Sequence, residues 1–335
     1  MPLKDVEKYR LKTGDILIVR SSLKREGVAY PAIFVEDEEP VVFCGFLIRV
    51  RPDKKKTEPF YLLNYLRSSK ARERLVGDSD TVTITNVDQG TLLSLNIPLP
   101  PLEEQKRIAT TIQELIQAIE RARIACEKQL EAAKALPAAY LREVFESEEA
   151  KKWERKRLGE ACEIIMGQSP PSDSYNKEKV GLPFFQGKAD FGDFFPIPKV
   201  WCSNPLKLSK PNDVLISVRA PVGPVNLADR ECCIGRGLTA IRGKETLNSW
   251  FLFFYFKSIE NNWKGRGSTF DSIRKDDLED IIVPYPPRPE QHRIANFLKE
   301  KFLQVDNLQS SIQNQQSELE VLPQAVFKKA FRGEL

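Results

Sequence analysis

Ile97-Pro-Leu-Pro-Pro-Leu-Glu-Glu-Gln-Lys-Arg-Ile-Ala109 returns later in the same chain as Val283-Pro-Tyr-Pro-Pro-Arg-Pro-Glu-Gln-His-Arg-Ile-Ala295. Eight of the thirteen positions are identical, at an offset of 186. A repeat of this length constrains the architecture before any local pattern does. The same offset carries Leu136-Pro137 to Leu322-Pro323, Ala139 to Ala325 and Phe145 to Phe331. Upstream, Phe60-Tyr-Leu-Leu-Asn-Tyr-Leu-Arg-Ser68 answers Trp250-Phe-Leu-Phe-Phe-Tyr-Phe-Lys-Ser258 at 190, and Lys12-Thr-Gly-Asp-Ile-Leu17 answers Lys210-Pro-Asn-Asp-Val-Leu215 at 198. Four matches in one order describe a duplicated unit. Before Lys210 the second copy has a further segment from about Trp153, whereas eleven residues precede Lys12. The first copy is therefore expected to lack the counterpart of residues 153–204.

Each Pro-rich segment opens a long run that predicts a helix. Ile108, Ile112, Leu115, Ile119, Ala122, Cys126, Ala133 and Leu136 follow the alternating spacing of a coiled-coil seam, as do Ile294, Leu298, Val305, Leu308, Ile312, Leu319 and Leu322. Gln129 and Gln315 share one seam position, a polar pair suited to fixing register. Glu103, Glu104 and Glu290 sit in the first turns, where negative charge complements the helix dipole. Pro137 and Pro323 are expected to end or kink the helices. Two equivalent stripes predict an antiparallel pair acting as a spacer between globular parts. About 35 helical residues would span roughly 50 Å.

The composition restricts the function classes. The chain has 335 residues, 51 basic and 47 acidic side chains and a net charge of +4, which excludes a strongly basic coat protein or an acidic disordered tail. Six cysteines without a C-x-x-C spacing suit reduced thiols in a cytoplasmic protein and give no zinc signature. No apolar run is long enough to cross a bilayer, and the first residues do not form a signal peptide. The lone histidine, His292, lies at a predicted helix start and is expected to be a surface residue. Cys232-Cys233 beside a strand is expected to be buried, a thiol hydrolase being the enzymatic alternative. No acid–base constellation, dinucleotide fingerprint or P-loop is present.

Residues 153–283 combine strand-like runs, Asp213–Val218 and Leu238–Ile241, with an aromatic helix near Trp250 and dense Gly and Pro punctuation. The fold class is therefore α+β (mixed α/β). The expected division is 1–97, a partial first domain; 98–150, a first helix region; 151–283, a complete second domain; and 284–335, a second helix region. Several loops carry basic, amide and hydroxyl side chains beside glycine: Gly167–Tyr175, Phe185–Ala189, Val218–Pro224, Gly235–Gly237 and Lys264–Phe270. Arg and Lys can read guanine edges or hold phosphates, Gln can read adenine, and glycine lets backbone amides approach phosphate.

The duplicated P-x-P-P-x-x-E-Q-x-R-I-A, the strand motifs at Lys12 and Lys210, Val218-Arg-Ala-Pro-Val-Gly223 and Cys233-Ile-Gly-Arg-Gly-Leu-Thr-Ala-Ile241 together resemble the DNA-specificity (S) subunit of type I restriction–modification systems. The resemblance runs from Lys12 to the end. It implies two tandem target recognition domains, the first N-terminally truncated here, separated by two long antiparallel spacer helices. Each domain of such a subunit reads one half of a split site in double-stranded DNA. The helices set the gap and dock methyltransferase (M) subunits, and through them restriction (R) subunits. The resemblance implies no catalysis and no cofactor for the chain itself. Adenine methylation with S-adenosylmethionine and ATP-dependent cleavage belong to the partners.

The residues expected to contact DNA are Gln168, Ser169, Tyr175, Gln186, Lys188, Arg219, Arg236, Lys264, Arg266 and Ser268, with Arg20, Lys24 and Arg25 in the first domain. Ile108, Ile112, Leu115, Ile119, Cys126, Gln129, Ile294, Leu298, Val305, Leu308, Ile312 and Gln315 are expected to pack the spacer helices. Two alternatives stand beside this reading. One is a half-specificity subunit that reads one half-site or self-associates; the other is a protein-only coiled-coil scaffold.

Overall fold

The computed structural model describes residues 7–36, 39–77, 85–244, 247–260 and 272–335. The chain divides into two compact units, one of residues 1–130 with 311–335, the other of residues 131–310.

In unit 1 the alternation Ile16-Leu-Ile-Val19 buries Ile16 and Ile18 completely, the two-residue period of a strand with one face in a core. This strand, β1 (Ile16–Val19), is the middle of three: β2 (Pro31–Ile33) and β3 (Leu47–Val50) pair with it antiparallel, with Ile16 opposite both Ile33 and Val50. Helix α1 (Pro59–Arg67) packs Leu62, Leu63 and Leu66 on this sheet. It starts at Glu58, whose carboxylate accepts from Tyr61 N at 2.7 Å, with Pro59 in the first turn where its missing N–H costs nothing. The long helix α2 (Leu102–Phe145) begins in this unit.

Unit 2 repeats this arrangement and adds to it. Its main elements are β4 (Cys162–Met166), β5 (Leu182–Phe185), β6 (Val214–Ser217), β7 (Val225–Leu227), β8 (Cys232–Ile234), β9 (Leu238–Gly243), α3 (Ser249–Ile259) and the start of α4 (Arg288–Ala330). The order β7-β6-β9 matches β2-β1-β3, with β4 added beyond β9. A five-stranded sheet contains β8 paired parallel to β5. The expected strands near 213–218 and 238–241 and the aromatic helix near Trp250 are β6, β9 and α3. Every residue of β6, β7 and β8 is buried, so these strands lack the apolar–polar alternation of a half-exposed strand, with Ser217 and Asn226 as their buried polar residues.

The repeat extends to individual hydrogen bonds. Asp15 Oδ2 accepts from Lys12 N at 2.8 Å, and Asp213 Oδ2 accepts from Lys210 N at 2.7 Å. Each carboxylate is then gripped by two arms of one arginine. Arg51 reaches Asp15 at 2.7 and 2.7 Å; Arg242 reaches Asp213 at 2.9 and 2.8 Å. Gln105 and Gln291, both buried in the first turns of α2 and α4, bind the entry to the preceding helix in the same way. Gln105 Oε1 accepts from Glu58 N at 2.9 Å and Gln291 Oε1 from Asn248 N at 2.7 Å. Their amide nitrogens donate to Pro100 O and Pro286 O, each at 2.8 Å.

Burial pushes the Asp15 carboxyl up, but the Arg51 hydrogen bond, the Lys12 N–H and the charges of Arg51 and Arg49 outweigh it and hold the group below its usual range. A depressed folded-state pKa stabilises above the unfolded value of about 3.9 and is lost as pH falls through the folded one. Acidification from pH 5 toward 2 is therefore expected to lower the stability of unit 1, as urea unfolding at successive pH values would record.

The long helices pair antiparallel within each unit. In unit 1, Ile108, Ala109 and Ile112 of α2 form one cluster with Phe327 and Ala330 of α4 and with Tyr61. Further along, Cys126 Sγ meets Gln315 Oε1 at 3.9 Å. In unit 2, Leu141 of α2 shares a cluster with Ile294 and Leu298 of α4, and Tyr140 meets Phe297 edge-on at 6.4 Å. Of the expected seam residues, Ile108, Ile112, Cys126, Ile294, Leu298, Val305 and Ile312 are buried and Ile119 is half-buried. Leu115, Leu308, Gln129 and Gln315 are exposed. Pro137 and Pro323 do not end the helices: α2 continues to Phe145 and α4 to Ala330. An internal proline costs about 3 kcal/mol. The segments beyond offset that cost by burial, Leu141 with Tyr140, Val144 and Phe145 in unit 2, and Phe327 with Ala330 in unit 1.

Candidate nucleic-acid interface

Strand direction and register bring four of the five expected loops of unit 2 together. Ser217, the last residue of β6, lies opposite Leu238, the first of β9, and Thr239 lies opposite Met166, the last of β4. Because β5 and β8 are parallel, with Phe185 opposite Ile234, both end on the same side, and Gly235–Gly237 then leads straight into β9. The segments 167–169, 185–188, 218–224 and 235–237 must therefore meet.

Backbone bonds lock the junction. Gly167 N donates to Leu238 O at 2.9 Å, Gln168 N to Ile234 O at 3.0 Å, Gly235 N to Phe185 O at 2.8 Å and Val218 N to Gly237 O at 2.9 Å. Glycine is required at two points: a Cβ on Gly237 would lie 2.1 Å from Gln186 O, and one on Gly167 would lie 2.2 Å from Gly235 O. Ser169 Oγ accepts from Arg236 N at 3.2 Å, and Asp190 Oδ2 accepts from Gln186 N at 2.7 Å. The buried Ser217 hydroxyl holds the 218–224 loop through Arg219 O and Pro221 O at 3.1 and 2.9 Å. Ala220-Pro221 is a cis peptide.

Gln168, Gln186, Lys188, Arg219 and Arg236 are all exposed on this rigid base. Tyr175 is placed differently. Its hydroxyl donates to Pro170 O at 2.7 Å and its ring lies 4.7 Å from that of Phe184, so it braces the 167–171 turn. Burial, with Cys202 and Cys233 nearby, pushes its hydroxyl up against the pull of Arg236, which keeps the phenol neutral. Lys264, Arg266 and Ser268 lie outside the described residues. The chain re-enters beside Arg219, which bridges to Ser272, and Ile273 N donates to Val218 O at 3.0 Å.

The corresponding end of unit 1 carries other side chains. Arg20 N donates to Phe46 O at 2.9 Å, as Val218 N does to Gly237 O, so Gly45 stands where the second copy has Arg236. Arg20 and Lys24 are exposed there; Arg25 is in a short 3-10 turn, Arg25–Gly27.

Cys232 and Cys233 are fully buried and out of reach of a substrate. Burial pushes Cys232 up to about 12 and Cys233 up to about 11, so both are protonated at neutral pH. His292 is exposed and lies 3.2 Å from Asn248 Nδ2. Among the described residues there is no cluster suited to a metal ion and no helix long and apolar enough to cross a membrane.

Ser217, Asp190, Gln105, Gln291 and the two Asp–Arg pairs were not singled out by sequence reasoning. For Gln105/Gln291 and Asp15/Asp213 the available signal was identity between the copies at positions where a solvated polar residue would be free to vary. Ser217 and Asp190 carry no such signal.

The duplicated α/β frame of unit 2 thus presents exposed Arg, Lys and Gln on a locked glycine-rich base. The sequence model of the type I restriction modification DNA specificity domain matches residues 2–129 and 150–320, and the chain belongs to that family. The chain is 40% identical, over 88% of its length and 73% of the relative's, to the protein named as the MjaX type I restriction enzyme specificity subunit of Methanocaldococcus jannaschii. The crystal structure of the HsdS subunit from Thermoanaerobacter tengcongensis superposes with a TM-score of 0.75 at 37% identity, covering 97% of this chain and 82% of that one. A structure described under the complex assembly and conformational transition of the type I R-M system gives 0.80 at 38%, covering 97% and 83%.

Proposed function

We propose that this chain is the sequence-specific DNA-recognition subunit of a type I restriction–modification complex in the cytoplasm. It reads a bipartite double-stranded site, docks methyltransferase subunits and, through them, restriction subunits. It performs no chemistry itself; methylation of a base inside a duplex requires flipping the base out, which falls to the docked partner. The four-part division into 1–97, 98–150, 151–283 and 284–335 follows, with recognition in the first and third parts and spacing and docking in the helices.

The observation that carries this reading is the junction of four loops in unit 2. It holds Gln168, Gln186, Lys188, Arg219 and Arg236 exposed on one base that is fixed by backbone hydrogen bonds. Such a base gives side chains a defined register along a groove, which base readout needs and general phosphate attraction does not. Ser169 and Tyr175 support the neighbouring turns. Arg236→Ala is expected to weaken specific binding by about 1–3 kcal/mol and to relax preference at one base position. Uniform loss on all sequences would instead make Arg236 a phosphate anchor. A competition assay with a randomised duplex library at two salt concentrations separates the outcomes.

A half-specificity reading is favoured by one difference between the copies, Gly45 in unit 1 at the position of Arg236. On that reading the methylated motif has one fixed half, contributed by unit 2, and a less defined other half.

A further inference from the structure

At the loop junction of unit 2, two exposed residues have their own backbone N–H held by the side chain of a neighbour. Gln186 is the first residue beyond β5, whose Phe184 and Phe185 are each 1% exposed. Its N–H donates to Asp190 Oδ2 at 2.7 Å. The preceding carbonyl, Phe185 O, accepts from Gly235 N at 2.8 Å. Its own carbonyl sits so close to Gly237 that a Cβ there would lie 2.1 Å away. The main chain of Gln186 is therefore fixed on both sides. Arg236 is held by the same device, its N–H donating to Ser169 Oγ at 3.2 Å.

The turn that carries Asp190 is anchored without its carboxylate. Residues Lys188–Asp190 form a 3-10 turn in which Asp190 N donates to Gly187 O at 3.1 Å and Phe191 N to Lys188 O at 3.0 Å. Ile197 N donates to Asp190 O at 2.8 Å, and Lys199 Nζ to Ala189 O at 2.7 Å. Phe191 then packs on the cluster of Phe185, Leu215 and Leu238. The carboxylate adds one tie to this frame, and that tie goes to Gln186 N. The side-chain amide of Gln186 takes no part in these bonds and is exposed.

A neutral amide releases no counterions from DNA, so a fixed glutamine adds little as a phosphate anchor. It offers one donor beside one acceptor, and adenine presents the complementary N7 acceptor and N6 donor in the major groove. Guanine presents two acceptors there and cytosine a single donor, so each satisfies half of the amide. Resting on the DNA-recognition reading above, we propose that Gln186 is a specificity-determining residue that reads an adenine in the half-site of unit 2, with Asp190 as its positioning residue. Asp190 sets the direction in which the Gln186 side chain leaves β5, and Ser169 does the same for Arg236. Each of these two acceptors therefore governs its own base pair.

The test is selection by the full chain from a randomised duplex library, with melting temperatures measured in parallel. The parent chain is expected to select a motif in which Gln186→Ala lowers the preference for one A·T pair about tenfold. Asp190→Ala is expected to lower preference at that same pair by a similar factor. Asp190→Asn keeps an acceptor for Gln186 N and is expected to retain the preference. Ser169→Ala is expected to relax a different pair, the one that Arg236→Ala relaxes. A loss spread over every position together with a lowered melting temperature would make Asp190 merely structural and overturns the proposal. So does a motif that Asp190→Ala leaves unchanged, an equal loss in Asp190→Asn, or a base other than adenine at the position that Gln186→Ala relaxes. A parent chain that selects no sequence overturns the DNA-recognition reading and this proposal with it, so the two failures are told apart by the parent alone.

Discussion

Arg242→Met is expected to destabilise unit 2 by about 3–5 kcal/mol, the cost of leaving a buried carboxylate without its cation. The Asp213 side chain is 2% exposed, and its two oxygens are held by Arg242 Nε and Nη2. Arg242 also reaches Glu163 at 2.9 Å, joining β9 to β4. Losing the cation therefore loosens the two strands whose ends carry Gly167 and Gly237. Urea unfolding measures the stability loss, and the same sample should lose discrimination between duplexes before it loses general DNA affinity. Asp213→Asn in the Arg242→Met background removes the buried charge and should recover part of the loss. No recovery would mean that arginine packing, not the charge pair, holds the strands.

Gln291→Leu is expected to cost about 2–4 kcal/mol, because it leaves Asn248 N and Pro286 O without partners at the foot of α4, each worth about 1–3 kcal/mol when buried. Leucine is close to glutamine in size, so the loss reports hydrogen bonding rather than a cavity. The equivalent Gln105→Leu in unit 1 removes the partners of Glu58 N, Lys56 O and Pro100 O and should cost a comparable amount. Because Gln291 ties the start of α4 to the start of α3, its loss should also weaken assembly with partners that dock on the helices. Thermal unfolding and co-purification give the two readouts. An unchanged melting temperature for both variants would show that water replaces the amide.

Much of the frame is legible in the sequence because the repeat is. The offsets of 186, 190 and 198 align α2 with α4, α1 with α3, and β1 with β6 from the order of residues alone. The seam is partly legible: Ile108, Ile112 and Ile294 are buried, whereas Leu115 and Leu308 are exposed. Heptad spacing identifies a stripe but not which edge of it faces the partner helix. The prolines do not end their helices because their local penalty of about 3 kcal/mol is offset by residues that bury the following turns, and no local pattern shows that burial. For the candidate interface, glycine-rich loops can be named individually. Their meeting cannot, since it depends on β5 and β8 being parallel and on the Ser217–Leu238 register. Tyr175 shows the limit most plainly. Its residue type suits contact with a base, yet its hydroxyl is engaged by Pro170 O.

As a specificity subunit, this chain is expected to select DNA sequence for a partner that modifies it. Co-expression with a type I methyltransferase subunit from the same host, followed by mapping of modified bases across that genome, provides the test. The expected result is methylation at a bipartite motif that appears only when this chain is present and that changes when Arg236 is replaced. A folded, assembled complex under which no motif gains methylation would contradict it.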